Sequence, residues 1–140
     1  MRDSRVLIVD DSTTIRAMIE EILKNLAHCR EIALAPDVPA ARILMRTFRP
    51  TIVTLDLNMP GINGLEFLKE LRGQSHAPVV VVSSTAKSGS EGEREAMDNG
   101  AWACFDKNRI VSESKLFIRT LEKASLGKRR STARPLARAS

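Results

Sequence analysis

The sequence predicts a doubly wound α/β fold, in which five helices flank a five-stranded parallel sheet. Short apolar runs alternate five times with longer segments whose apolar residues recur at helical spacing. This alternation is typical of strands and helices that wind into layers around one sheet. The run Val79 to Val82 is apolar at every position, which favours a parallel sheet covered on both faces.

Two strand–helix units are expected in the N-terminal part of the chain. The run at 5–10 predicts a strand, and the next segment has one apolar helical face, with Ser12 as its N-cap. Residues 31–35 form a weaker strand pattern. Asp37 is expected to cap a second helix, which ends shortly before Pro50.

Three more units follow. The strands are predicted at 51–57, 78–84 and 101–106, and the helices at about 64–72, 91–99 and 113–124. Gly100 is expected to end the fourth helix, since glycine is favoured just past a helix C-terminus.

The basic excess of the chain lies in its C-terminal residues. The 140 residues carry 22 basic and 17 acidic side chains, a net charge of +5. Residues 125–140 contain five basic residues and no acidic one, which leaves 17 of each sign in residues 1–124. We predict one folded domain at 1–124 and a flexible arginine-rich tail at 125–140. The neutral domain, which has no recognition helix, argues against DNA binding.

The composition is that of a globular protein without a membrane span. Its purely apolar stretches, such as Val79 to Val82, are far too short to cross a bilayer. No signal-peptide pattern opens the chain, so a cytoplasmic location is expected. Cys29 and Cys104 match no metal-binding spacing, and both are expected to be reduced thiols.

Asp56 interrupts an apolar strand pattern, where a carboxylate is unusual. In an open parallel sheet, ligands bind at the carboxyl ends of the strands. Asp10 and Asp11 end the first strand, Ser83 ends the fourth and Lys107 ends the fifth. The sequence therefore predicts three carboxylates, a hydroxyl and an ammonium at one edge of the sheet.

Three adjacent carboxylates need a compensating charge, because like charges about 4 Å apart cost about 4 kcal/mol at an effective dielectric near 20. A hard cation such as Mg²⁺, held by Asp10 and Asp11, would leave Asp56 to attack a phosphoryl group. Lys107 and a serine hydroxyl would then bind the product oxygens. The alternative is structural: Asp10 and Asp11 cap the next helix, and Asp56 forms a salt bridge with Lys107.

The motifs "VLIVDDS", "TLDLNMPGINGLEFL", "VVVVSS" and "GAWACFDK" resemble those of bacterial response-regulator receiver domains, the CheY-like family. The resemblance spans residues 5 to about 124, in the same order along the chain. It implies a flavodoxin-like sheet with strand order 2-1-3-4-5. It also implies a histidine kinase as the partner that supplies the phosphoryl group.

The resemblance also implies roles for the acidic edge. Asp56 would be the phosphoacceptor, Lys107 would contact the phosphoryl group, and Ser83 would take the hydroxyl-switch position. The implied ligands of Mg²⁺ are Asp10, Asp11, Asp56 and the backbone of Asn58.

Three residues depart from the family pattern. Asn108 follows the lysine, where receivers usually have proline. Cys104 replaces the usual switch aromatic, and Asp106 stands where an apolar residue is usual. We expect the coupling between phosphorylation and the outer face to be weaker than in typical receivers.

The tail has a specific and a nonspecific interpretation. Arginine binds phosphates and guanine edges bidentately, which suits cyclic di-GMP. The R-x-x-x-R spacing is similar to a PilZ-family motif, and the chain resembles CheY-like proteins whose arginine-rich extension binds cyclic di-GMP at the flagellar motor. The candidate ligand residues are Arg129, Arg130, Arg134, Arg138 and, by stacking, Trp102. Core or rim packing of Trp102, and a merely solubilising tail, are the alternatives.

The favoured functional hypothesis is a monomeric, stand-alone regulator that binds a flagellar motor switch or another output protein. It is not expected to be an enzyme, beyond Mg²⁺-dependent self-phosphorylation and dephosphorylation. The alternative is the receiver part of a larger methylesterase-type regulator, since "VVVVSST" is similar to those receivers. A metal-dependent phosphohydrolase is disfavoured, because its second acid would stand where Asn58 is.

Overall fold

The computed structural model describes residues 3–61 and 63–126. The strands are β1 (Ser4–Val9), β2 (Cys29–Ala35), β3 (Ile52–Leu55), β4 (Val79–Ser83) and β5 (Ala103–Asp106). The helices are α1 (Thr13–Leu23), α2 (Val38–Thr47), α3 (Gly64–Leu71), α4 (Glu91–Asp98) and α5 (Ser114–Ser125). A short 3₁₀ turn, Lys107–Arg109, lies between β5 and α5.

All five strands lie parallel in one sheet of order β2-β1-β3-β4-β5, which confirms the predicted fold and strand order. The reversal of strand order places β1 and β3 side by side, with Val9 opposite Leu55. The ends of the two strands that precede Asp10 and Asp56 therefore coincide.

Four helices have an N-cap residue whose side chain accepts a hydrogen bond from the backbone N–H three residues later. Ser12 and Asp37, the two predicted caps, accept hydrogen bonds from the backbone N–H groups of Ile15 and Ala40. The other two N-cap residues that accept the equivalent bond are Asn63 and Ser90. These bonds fix the starts of the helices relative to the strand ends that precede them.

Two apolar layers cover the sheet. Helices α2, α3 and α4 pack on one face, and α1 and α5 pack on the other. The valines of β4 are 0–1% exposed, as expected for a central strand covered on both sides.

Three strands end earlier than predicted: β4 ends one residue early, at Ser83, and the other two bear directly on the acidic edge. β1 ends at Val9 and β3 at Leu55, so Asp10 and Asp56 are the first residues beyond their strands. The backbone N–H of Asp10 still donates to the carbonyl of Ala35 at 3.0 Å, and that of Asp56 to the carbonyl of Val9 at 3.0 Å. The backbone is therefore held by the sheet while the carboxylates project from its edge.

Trp102 is buried, which corrects its proposed role as a stacking platform for guanine. The side chain is 9% exposed and belongs to the apolar layer under α1 and α5. The packing alternative therefore describes its environment. Residues 127–140, with Arg129, Arg130, Arg134 and Arg138, lie outside the described residues, and their proposed ligand role stays a prediction.

The end of α5 is attached to the start of β1. The hydroxyls of Ser4 and Ser125 lie 2.9 Å apart, and Ser4 is 5% exposed. The chain continues from Leu126 at the amino end of the sheet. The domain boundary at 124 and the tail beyond it stay predictions. No helix in residues 3–61 and 63–126 is long and apolar enough to cross a membrane.

Candidate functional site

Three carboxylates meet at the carboxyl edge of the sheet. One oxygen from each of Asp10, Asp11 and Asp56 lies within 4.8 Å of the others. Asp10 and Asp56 are 1% and 2% exposed, whereas Asp11 is exposed. We call these three residues the acid cluster. It is buried at its base and open to solvent at its rim.

Lys107 reaches the acid cluster from the other side. Its Nζ donates to Asp56 Oδ2 at 2.9 Å and lies 3.2 Å from Asp10 Oδ2. The ion pair proposed in the structural alternative is therefore present, and it includes both buried carboxylates. It supplies one positive charge for three carboxylates, which leaves the site electronegative.

Burial and charge shift two pKa values in the site. Desolvation raises the pKa of Asp10, and the neighbouring Asp56 charge adds to this, although the backbone N–H of Ser12 and the Lys107 ammonium oppose it. Burial lowers the pKa of Lys107, but its hydrogen bond to Asp56 and the charges of Asp56 and Asp10 outweigh burial and raise it overall. The ammonium is thus held in its charged form.

The loop after β1 is held by hydrogen bonds to Asp10. Asp10 Oδ1 accepts the backbone N–H of Ser12 at 2.8 Å, and the Asp10 carbonyl accepts from Arg16 at 2.6 Å. Ser12, and neither aspartate, is the N-cap of α1. The helix-capping part of the structural alternative is therefore wrong. Arg16, which sequence reasoning did not select, holds the backbone at the acid cluster.

Asn58 contributes its side chain as well as its backbone. Its backbone N–H donates to Asp56 Oδ1 at 3.1 Å. Its amide Nδ2 donates to Ser83 Oγ and to Thr85 Oγ1, each at 3.1 Å. Ser83 is fully buried at the end of β4, and its hydroxyl lies 3.2 Å from that of Thr85. Sequence reasoning missed the amide contacts and the contribution of Thr85.

Gly64 allows the loop after β3 to pass close to the site. A Cβ at this position would lie 2.0 Å from the backbone oxygen of Asp56, which no side chain can tolerate. The backbone N–H of Gly64 donates to the Leu57 carbonyl at 3.0 Å. The feature of the sequence that could have indicated this close approach is the glycine at the first position of the predicted third helix.

The acid cluster has the donor set that a hard divalent cation requires. Its ligand atoms are carboxylate oxygens, and the solvent-exposed rim leaves room for water. Asp10 Oδ2 is buried and, among the described residues, has no hydrogen-bond partner beyond its ion pair with Lys107. The residues present therefore fit a bound cation at Asp10, Asp11 and Asp56.

Comparison with curated proteins finds relatives that are named as enzymes. The protein-glutamate methylesterase/protein-glutamine glutaminase of Pectobacterium atrosepticum is 38% identical over 144 residues, which cover 96% of this chain and 41% of that protein. Its namesake from Thiobacillus denitrificans is 43% identical over 110 residues, which cover 79% of this chain and 31% of that protein. The chain thus spans less than half the length of these relatives.

These relatives correct the expectation that the protein is not an enzyme. Proteins of the same name from several bacteria match almost the whole chain, and their name denotes an enzyme. The similarity of "VVVVSST" to methylesterase receivers was the better guide. Asn58 argued only against a phosphohydrolase.

Solved structures agree in fold. The response regulator domain of Thermotoga maritima CheB superposes with a TM-score of 0.75 at 28% identity, covering 86% of this chain and 96% of that one. Vibrio cholerae chemotaxis protein CheY4 gives a TM-score of 0.65 at 26% identity, covering 81% and 98%. A family model described as the response regulator receiver domain matches residues 6–118.

Proposed function

The chain belongs to the response regulator receiver family, and on that premise we propose that it is the phosphorylation-controlled part of a chemotaxis regulator of the methylesterase type. The observation that carries the proposal is the acid cluster, with Lys107 Nζ 2.9 Å from Asp56 Oδ2. The curated relatives support the methylesterase class. The activity of such a regulator on glutamate esters would belong to a region outside the receiver.

Asp56 is the proposed phosphoacceptor, with a histidine kinase as donor. Receiver domains interact with histidine kinases. An Asp56 carboxylate oxygen attacks the phosphorus of a phosphohistidine, and a carboxyl–phosphate bond forms as the phosphorus–nitrogen bond breaks. The bonding electrons pass to the imidazole nitrogen of the donor. A small phosphodonor such as acetyl phosphate can react in the same way, with acetate as the leaving group.

Lys107 and Ser83 are the residues proposed to bind the oxygens of the phosphoryl group that is transferred to Asp56. Lys107, already 2.9 Å from Oδ2, would follow the transferred oxygens and donate to one of them. Ser83 would donate its hydroxyl to another oxygen as it moves away from its present partners, Asn58 at 3.1 Å and Thr85 at 3.2 Å. The movement of Ser83 would alter the contacts at the end of β4. Because α4 is the helix that follows β4, this alteration is a route by which phosphorylation would affect α4.

Magnesium is the proposed cofactor, held by Asp10, Asp11, Asp56 and the backbone carbonyl of Asn58. When bound, it would neutralise the acid cluster and the phosphoryl oxygens.

Treatment of the full chain with acetyl phosphate and Mg²⁺ tests this function. Intact mass spectrometry should show one phosphoryl adduct that is absent from Asp56→Asn and from samples treated with a chelator. Asp11→Asn, at the exposed rim, should require a higher Mg²⁺ concentration for the same yield. An adduct of equal yield in Asp56→Asn would contradict the assignment.

The cyclic di-GMP hypothesis rests on the basic residues of the tail. The five cations in residues 125–140 suit a dianionic ligand, and a flagellar motor switch is the matching partner in that stand-alone hypothesis. The curated relatives favour the methylesterase alternative, so cyclic di-GMP is the second candidate. A monomeric state and a cytoplasmic location are proposed under both.

A further inference from the structure

Lys107 lies just beyond the end of β5 and has no strand partner of its own. The last residue pair of β4 and β5 is Ser83 with Asp106. Lys107 then begins the 3₁₀ turn Lys107–Arg109, and the next residue, Ile110, is fully buried in the apolar layer. The position of the Lys107 backbone is therefore set by the residues on either side of it.

Asp106 makes the bond that closes this turn. Its carboxylate Oδ1 accepts the backbone N–H of Asn108 at 3.0 Å, so the side chain bridges across Lys107. The backbone of Asp106 is in register with Ser83 at the same time. One residue thus links the end of the sheet to the turn that carries the ammonium.

The partner of this carboxylate is a backbone group. Proline has no N–H, so the bond requires a residue other than proline at position 108. The side chain of Asn108 is exposed and does not take part in it. Asp106 and Asn108, which depart separately from the family pattern, therefore form one structural unit.

We infer that Asp106 is a positioning residue, whose hydrogen bond to the Asn108 N–H holds Lys107 against Asp56 and Asp10. The inference deepens the proposed function and rests on it where phosphoryl transfer is the readout. The ammonium must lie within hydrogen-bond distance of Asp56 Oδ2, and it does so at 2.9 Å. A turn that opens at Asp106 would let Lys107 swing toward solvent without disturbing the apolar layers.

The test compares four substitutions in the full chain. Asp106→Ala removes the acceptor, whereas Asp106→Asn keeps an oxygen in its place. Asn108→Ala keeps the backbone donor. Glu113→Ala is the matched control, because it breaks a second contact of the same turn, the 2.9 Å ion pair with Arg109.

The first readout is the rate of phosphorylation by acetyl phosphate. Asp106→Ala lacks the hydrogen bond to the Asn108 N–H. We expect its rate constant for phosphorylation to be about tenfold lower than that of the wild type, because the bond resembles a helix-capping bond in strength. Asp106→Asn, Asn108→Ala and Glu113→Ala should remain within about twofold of the wild type. A wild-type rate in Asp106→Ala, or the same loss in Asp106→Asn, would overturn the inference.

The second readout does not depend on phosphoryl transfer. In protein with ¹³C-labelled lysine, the Lys107 Cε resonance, assigned with Lys107→Arg, should be resolved from those of the exposed lysines. Asp106→Ala should move it toward them, and Asp106→Asn should not. If the wild type accepted no phosphoryl group and the resonance still moved, the proposed function would fail while the positioning role stood. If the wild type were phosphorylated and the resonance did not move, the positioning role would fail alone.

Discussion

Lys107 Nζ lies 2.9 Å from Asp56 Oδ2 and 3.2 Å from Asp10 Oδ2, so one ammonium holds two buried carboxylates. It is their principal countercharge within the described residues. We therefore expect Lys107→Ala to lower the free energy of unfolding by about 2 kcal/mol, less than for a fully buried pair because the rim is open to water. Mg²⁺ should restore most of this loss. Urea denaturation with and without Mg²⁺ measures both effects, and a variant as stable as the wild type would contradict them.

Asp10→Asn is expected to stabilise the protein while it weakens Mg²⁺ binding. Desolvation raises the pKa of Asp10 above its ordinary value of 3.8, so burying the charged form costs stability at neutral pH. Without metal, the variant should therefore melt at a higher temperature than the wild type at pH 7.

The pH dependence of that difference follows from the sign of the shift. The folded state binds the Asp10 proton more tightly than the unfolded state, so the wild type gains stability as pH falls through the raised pKa. The difference in stability between Asp10→Asn and the wild type should therefore shrink as the pH falls through the raised pKa of Asp10, and it should be smallest in acid. Calorimetry across pH in a chelating buffer measures it. A difference that grows toward low pH would show that the pKa is not raised.

Asn58→Ala is expected to free the Ser83 hydroxyl for the phosphoryl group. The amide now donates to Ser83 Oγ at 3.1 Å, and a shift of that oxygen toward the phosphoryl group gives up this bond, whereas the contact of Ser83 with Thr85 is the same in both proteins. One hydrogen bond is worth about 1 kcal/mol, so beryllofluoride, a phosphoryl analogue, should bind about fivefold more tightly to Asn58→Ala. The control is Ser83→Ala, in which the additional Asn58→Ala change should have no such effect. Equal gains in both backgrounds would exclude this explanation.

Cyclic di-GMP binding by the tail is expected only if the second candidate function is correct. Calorimetric titration of the full chain should then give a micromolar dissociation constant, because ordering a flexible segment offsets part of the binding energy. Arg134→Ala should weaken binding at least about tenfold, and a chain ending at Leu126 should not bind. Trp102→Phe should leave the affinity unchanged, since the ring is buried. Unchanged affinity after truncation would exclude the tail.

The positions of the acid cluster could be predicted because they follow from topology. In a parallel sheet the carboxyl ends of the strands lie at one edge, and the strand order implied by the family resemblance makes β1 and β3 neighbours, so the residues after them were expected to meet. The contact of Asn58 with Thr85 could not be predicted, because it depends on the path of the loop after β4. Sequence patterns locate strand ends better than they locate loop backbones.

Trp102 and Asp106 show two further limits. The pattern around Trp102 placed it at the start of the last strand, whereas β5 begins at Ala103, and it did not give its burial, which depends on side chains from distant segments of the chain. Asp106 looked anomalous because an apolar residue is usual at its position, and its partner could not be foreseen because it is a backbone N–H, which every residue except proline carries. The amino-acid sequence alone does not show from which backbone N–H a carboxylate accepts a hydrogen bond.

The contact between Ser4 and Ser125 has a consequence for how the domain can be joined to other regions. It fastens the end of α5 beside the first residue of β1, whereas Asp10 follows the last residue of that strand. A six-residue strand is roughly 20 Å long, so Ser125 lies at about that distance from the acid cluster. A region linked directly after Leu126 would begin at the opposite end of the sheet from Asp56. The same geometry makes the C-terminal side the natural place to attach a fluorescent label or fusion protein without blocking the donor's approach.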